Sequence, residues 1–269
     1  METSEAELLV AARGGDQAAL EALLARHAGR VLRFTGKMCR DPEDAKDVAQ
    51  ETLIAAARSL PEFRGGSSVS TWLYTVARSF CIKKRRRSKF APADVISLDD
   101  AVDLQRIAAD APAPEEVASA RELGDAVSRA LAKLEPTARE VVVLRDVEGL
   151  SAPEVAEVLG IGVEAVKSRL HRARVALRAI LEPHVRAAEL GAATGCPDVV
   201  AMFSRHLEDE ITGADCAAME RHVAGCPSCS AACDSLRRTL ALCRAVPTGD
   251  VPPDVQAMVR EALRQLRAQ

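Results

Sequence analysis

Apolar residues return every three to four positions along most of this chain, the spacing that gives a helix one buried face. Residues 4–87 read as consecutive helices. Ser4 and Glu7 form a capping-box signature that opens the first. In the second, Leu20, Leu23, Leu24, His27, Val31 and Leu32 share one stripe. Asp41-Pro42-Glu43-Asp44 supplies a cap, a first-turn proline and first-turn acids for the third. Ala45, Val48, Ala49, Thr52, Leu53 and Ala56 then hold its apolar face. Gly65-Gly66 breaks the pattern, and a fourth helix starts near Ser70 or Thr71 and runs into Lys83-Lys84-Arg85-Arg86-Arg87.

Between 89 and 118 the apolar pattern stops, and acids and prolines dominate a predicted linker. Helical spacing resumes over 119–183. A helix is predicted at about 137–148, then a short one at 152–159 opened by Ser151 and Glu154. Gly160-Ile161-Gly162 makes a tight turn, and a basic helix runs to about Leu181. Residues 184–195 form a second linker. A cysteine-rich helical module covers 196–245, and an amphipathic tail follows in 246–269. The fold class is all-α, an expectation that composition supports: only 3% of the 269 residues are aromatic, too few for a sandwich or barrel core.

Charge narrows the function. With 36 basic and 39 acidic residues the chain is not globally basic, so any nucleic-acid binding must be local. The longest apolar run falls short of the roughly 18 residues of a membrane span. Glu2, Glu5, Glu7, Arg13 and Asp16 do not suit a signal peptide. A cytoplasmic protein is expected.

Local basicity is concentrated in two places. Val155, Ala156 and Leu159 face Val163, Val166 and Leu170 across Gly160. The opposite face of the second helix carries Lys167, Ser168, Arg169, His171, Arg172 and Arg174. That is the layout of a helix-turn-helix with a cationic groove-facing side, although an ordinary helical hairpin with a solvated basic face has the same pattern. The second place is Lys83 to Arg87, preceded by Phe63, Arg64, Trp72, Tyr74 and Phe80. Aromatic rings beside cations suit unpaired bases, whereas each ring singly could equally be core.

Six of the eight cysteines fall between 196 and 243. His222 and Cys226 stand at i and i+4 on one helix face, and Cys226-Pro-Ser-Cys229 is a turn that can aim two thiolates at one ion. One more ligand would close a tetrahedral Zn²⁺ site. Cys196 precedes His222 by 26 residues, an arrangement similar to that of zinc-binding anti-sigma domains, and the resemblance implies Cys196, His222, Cys226 and Cys229 as the Zn²⁺ set. Cys216, Cys233 and Cys243 remain as a second thiolate group or as substitutes in the first. His206 reads as a surface or hydrogen-bonded histidine. Soft thiolates also suit Cu(I) or Cd²⁺ as a sensed metal, and thiol oxidation is a rival signal. Four protein ligands leave no open position for a substrate, which argues against an enzyme.

Asp44 through Thr52, then Phe63-Arg64-Gly65, then Ser70 through Arg78 resemble region 2 of the extracytoplasmic-function (ECF) sigma factors. Glu154 to Gly160 and Val166 to Arg174 resemble their region 4. The resemblance implies a DNA-binding transcription initiation factor that binds core RNA polymerase and promoter DNA. It implies that Asp44, Asp47, Gln50 and Glu51 face the polymerase. It places Arg64, in the Phe63–Ser70 loop, with Trp72, Tyr74 and Arg78 toward the −10 element, while the run Lys83, Lys84, Arg85, Arg86 and Arg87 reads from its charge as a DNA phosphate contact, a solvated helix end being the alternative. Lys167, Arg169, Arg172 and Arg174 would go to the −35 element, with Ser168 and His171 read beside them on the DNA-facing side of the helix. Two departures stand out. Ile82-Lys83-Lys84 replaces a customary acid, and the chain continues more than 80 residues past region 4. That extension is similar to zinc-binding anti-sigma domains, which implies a regulator in cis contacting the sigma regions. A stand-alone helix-turn-helix regulator with a structural zinc tail is the alternative.

Overall fold

The computed structural model describes residues 3–39, 41–88, 124, 126–181 and 196–244, with parts of 257–264. The predicted linkers at 89–118 and 184–195 lie outside the described residues, as does most of the tail after 244. Every regular element among the described residues is helical. The chain divides into two compact units, one of residues 1–111 with 247–269 and one of residues 112–246.

In the first unit, α1 (Glu5–Arg13), α2 (Gln17–Met38), α3 (Pro42–Ser59) and α4 (Val69–Ser88) form a bundle. Its helix starts are chemically fixed. Ser4 Oγ accepts from the Glu7 N–H while the Glu7 carboxylate accepts from the Ser4 N–H. Asp16 accepts from two first-turn amides of α2, and Asp41 from the Asp44 amide of α3. Each satisfies donors that a helix N-terminus leaves orphaned.

Leu23, Leu24 and Phe34 of α2, Leu53 of α3, and Leu73 and Tyr74 of α4 are almost wholly buried. Ala28, Ala49, Ala56 and Ala77 are fully buried beside them, and their small side chains let the backbones approach. Leu53→Ala leaves a hole in this core, and we expect it to cost about 2–5 kcal/mol in denaturant unfolding.

His27 sits in the same core with its Nε2 3.3 Å from Glu5 Oε2. Burial pushes its imidazole below the ordinary histidine value. Glu5 opposes that shift, and Arg30 and Arg26 add to it. The unfolded chain therefore takes up a proton that the folded chain refuses. Stability is full above the ordinary value near 6.5 and falls as pH drops below it. Thermal unfolding of His27→Leu should lose less stability than wild type between pH 7.5 and pH 5.5.

The second unit starts with α5 (126–133) and α6 (Pro136–Val142). Buried Arg139 ties them, donating to the carbonyls of Leu131, Ala132 and Leu134. The helix predicted at 137–148 is not continuous. It passes at Val143 into a π turn, Val143–Val147, whose wider winding buries Val143, Leu144 and Asp146 together. Next come α7 (Ala152–Leu159) and α8 (Val163–Leu181). Gly160 between them has φ 66° and ψ 38°, the left-handed conformation that glycine adopts without penalty. The cysteine-rich module consists of α9 (Val199–His206), α10 (Gly213–Gly225) and α11 (Pro227–Arg244). They share a small core of Val199, Val200, Phe203, Met219, Leu236 and Leu240.

Candidate metal centre and nucleic-acid interface

Three segments meet at the metal centre. Cys196 lies just before α9, His222 in the last turn of α10, and Cys226 and Cys229 around the start of α11. Pro227 begins α11 at once, so Cys226 is held in extended backbone beside the first helical turn. The four ligand atoms all lie within 4.8 Å of one another. Cys196 Sγ is 3.8 Å from Cys226 Sγ, and His222 Nε2 is 3.2 Å from Cys229 Sγ. An ion about 2.3 Å from each sulfur in tetrahedral geometry sets the sulfurs about 3.8 Å apart, so this donor set fits zinc.

The electrostatics agree with that fit. The Cys229 amide, ahead of the Cys229 thiol, holds Cys226 below its ordinary value. Cys229 is pushed up to about 12, first by burial and then by Cys196 and Cys226. Crowded thiols resist collecting negative charge, and a divalent cation removes that resistance.

Of the remaining tail cysteines, Cys233 and Cys243 are buried, and the Cys233 thiol is pushed up by burial. Neither belongs to the cluster. Cys216 lies apart, 3.6 Å from His206 Nδ1 and 3.8 Å from Glu220 Oε1. The His206 ring is exposed and stacks on Phe203.

The helix-turn-helix is α7 and α8. Val166, Leu170, Ala173 and Leu177 are buried along one side of α8. Ser168 and Arg172 are exposed, while Lys167, Arg169 and His171 are half-buried. Arg174 departs from expectation. Read as groove-facing, it is only 1% exposed. Its guanidinium donates to Asp146 at 2.6 and 3.0 Å, to Glu208 at 2.8 Å and to the Ser204 carbonyl at 3.3 Å. Asp146 lies in the π turn, and Ser204 and Glu208 lie in or just after α9. Four more polar contacts tie the cysteine-rich module to this region. Arg145 donates to Glu208 at 3.0 Å, Arg174 to the Ser204 hydroxyl at 3.3 Å, and Arg178 to the Ser235 hydroxyl at 3.2 Å. Lys167 lies 3.5 Å from Glu210. Sequence reasoning missed Asp146, Ser204 and Glu208. The only signal was an acid at the end of the apolar run 141–144, with no partner visible at helical spacing.

In the first unit, Asp47 and Glu51 are exposed and Asp44 and Gln50 half-buried on α3. Lys84, expected at DNA, instead lies 2.8 Å from Asp44 and 3.1 Å from Asp47. Asp44 first, and then Asp47, hold its ammonium above the ordinary value. Tyr74 is also a correction. At 1% exposure, with its ring 5.2 Å from Phe34, it is core, because positions 73, 74, 77 and 81 form the buried side of α4. Trp72 is half-buried against Phe63, with ring centroids 4.9 Å apart. Arg64, Lys83, Arg85 and Arg86 are exposed, and Arg78 is half-buried. The Arg87 side chain lies outside the described residues.

Three parts define a class: a helical bundle with an acidic third helix, a helix-turn-helix, and a Cys₃His module. The comparisons agree. Residues 23–90 match Sigma-70 region 2, residues 124–177 match Sigma-70 region 4, and residues 196–230 match a zinc-finger family. The ECF RNA polymerase sigma factor SigM of Mycobacterium tuberculosis is 36% identical over 180 residues, which span 67% of this chain and 86% of SigM. SigW of Bacillus subtilis is 32% identical over 167 residues, 61% of this chain and 89% of SigW. The solved structure of CnrH in complex with the cytosolic domain of CnrY is 30% identical. It covers 65% of this chain and 96% of that one, with a TM-score of 0.47. The chain belongs to the ECF family of RNA polymerase sigma factors. It is a DNA-binding transcription initiation factor. The match across region 2 disfavours a stand-alone helix-turn-helix regulator. No described helix is long and apolar enough to cross a membrane.

Proposed function

We propose that this sigma factor carries its own zinc-folded inhibitor, and that residues 196–245 restrain region 4 by clasping its recognition helix. The observation that carries this reading is the burial of Arg174 of α8 between Asp146 and Glu208. A cation expected to serve DNA is engaged by a carboxylate of the cysteine-rich module. Lys167 lies beside Glu210 in the same way.

In this reading Cys196, His222, Cys226 and Cys229 hold Zn²⁺. The metal supplies a structural cross-link between the start of α9, the end of α10 and the start of α11. With all four positions taken by protein, it offers no site for substrate, and the chain is not an enzyme. Loss of zinc, its replacement by Cu(I) or Cd²⁺, or oxidation of the cluster would loosen the clasp. Asp47, Glu51, Gln50 and Asp44 would meet core polymerase. Arg64, Trp72, Arg78, Lys83, Arg85 and Arg86 would serve the −10 strand, and Arg169, Arg172, Ser168, His171 and Lys167 the −35 duplex. Such work belongs in the cytoplasm.

The polymerase assignment is tested by titrating the labelled chain with core RNA polymerase. Saturable binding weakened by Glu51→Lys, with transcripts starting at discrete sites, is the expected result. Duplex binding without any affinity for core polymerase would overturn it.

A further inference from the structure

Cys39 and Cys81 stand outside the metal module and are not used by the function above. Forty-two positions separate them in sequence, yet their Sγ atoms are 3.7 Å apart. They belong to different elements. Cys39 caps the C-terminus of α2, its N–H donating to the Thr35 carbonyl at 2.8 Å, and Cys81 lies on α4. We infer that Cys39 and Cys81 form an oxidisable dithiol that a hydroperoxide closes to a disulfide, staples α2 to α4 and marks region 2 as a second, tail-independent redox site.

The geometry favours closure. A disulfide requires sulfurs about 2.05 Å apart, so each Sγ moves about 0.8 Å, within reach of side-chain rotation. The two thiols also divide the work. Cys39 is half-buried and reachable from solvent, whereas Cys81 is buried. The Cys81 thiol holds Cys39 below its ordinary value. Burial and Asp44 oppose that shift, and Lys84 adds to it. Cys39 is therefore the attacking group.

Its thiolate takes the terminal oxygen of the hydroperoxide. The O–O bond breaks, the alkoxide leaves and takes up the proton lost from Cys39, and Cys39 becomes a sulfenic acid. The Cys81 sulfur then attacks the Cys39 sulfur. The S–S bond forms, the S–O bond breaks, and hydroxide leaves as water with the proton from Cys81. Two thiols and one hydroperoxide give one disulfide, one alcohol and one water. The sulfurs lose the two electrons that the peroxide gains.

The location gives the reaction a consequence. Asp41, which caps α3, follows Cys39 by two residues, and Lys84, which holds Asp44 and Asp47, follows Cys81 by three. A bond here fixes the α2–α3 corner to α4 beside those acids.

The test treats the zinc-loaded full chain with one equivalent of hydrogen peroxide, alkylates the remaining thiols and maps tryptic peptides by mass spectrometry. The expected result is peptide 38–40 joined to peptide 79–83, less two hydrogens, and released by dithiothreitol. In Cys81→Ser, dimedone should label Cys39. In Cys39→Ser, Cys81 should stay alkylatable. The inference is overturned if wild-type Cys39 and Cys81 both remain alkylatable while tail thiols oxidise, or if Cys39 joins a tail cysteine instead. The wild-type cross-link decides the matter without any variant, and it does not depend on the tail's action as an inhibitor.

Discussion

Glu208→Ala should raise promoter-specific transcription by this sigma factor by at least an order of magnitude over wild type. Glu208 reaches both Arg174 and Arg145, at 2.8 and 3.0 Å. Its side chain is 3% exposed and that of Arg174 1%. Breaking a buried, hydrogen-bonded charge pair by removing one partner costs about 3–5 kcal/mol, because the other charge stays buried without full compensation. The clasped arrangement bears that cost. Released, Arg174 keeps Asp146 and gains water. At about 1.4 kcal/mol per factor of ten, the clasp equilibrium shifts more than a hundredfold. Transcription rises less than that, since it saturates once most molecules are open. Glu210→Ala should act in the same direction and more weakly, because the Lys167 and Glu210 side chains are about one-fifth exposed and separated by 3.5 Å. Zinc content should be unchanged in both, which separates an opened clasp from an unfolded module.

Cys226→Ser should have the other large effect: loss of the bound zinc, loss of the helical signal of α9 to α11, and transcription that no longer responds to chelator. The module's core is a handful of apolar side chains shared by three short helices. Without a metal, so small a core cannot offset chain entropy. Where the site does not exist in the unfolded chain, metal-binding free energy is folding free energy. Cys226 bridges two of the three segments, since its sulfur faces Cys196 and its own amide neighbours start α11. Elemental analysis should find about one zinc per wild-type chain and none in the variant. Cys243→Ala should keep its zinc, because Cys243 lies outside the cluster. Zinc retained by Cys226→Ser would remove this centre from the account.

Local chemistry was legible in the sequence. Ser4 with Glu7, Asp41 with Pro42, and Ser151 with Glu154 mark helix starts because capping acts between residues two or three apart. Gly160 marks its turn because the left-handed conformation disfavours a side chain. Three members of the metal quartet were readable because His222, Cys226 and Cys229 lie within eight residues of one another, whereas Cys196, 26 residues before His222, followed from the family resemblance and not from local spacing.

What could not be read were pairings between distant residues. Arg174 stands four residues after Leu170 and three before Leu177, so helical phase alone puts it on the buried side of α8; what the sequence did not show was its partners, Asp146 and Glu208, 28 and 34 residues away. Lys84 sits in a run of five cations, yet α3 brings Asp44 and Asp47 to it alone among those whose contacts are described. Tyr74 looked like Trp72 in composition, but helical phase sends one ring to Phe34 in the core and the other to Phe63 at the edge. The π turn escaped periodicity because it breaks the period itself.

The most direct test of the clasp is multiple-round transcription on sheared genomic DNA with core RNA polymerase. Transcripts are mapped for wild type, Glu208→Ala and a chain ending at residue 190. The account predicts the same start sites for all three, with at least tenfold higher yield from the variant and the shortened chain. Equal yields across the three would contradict it.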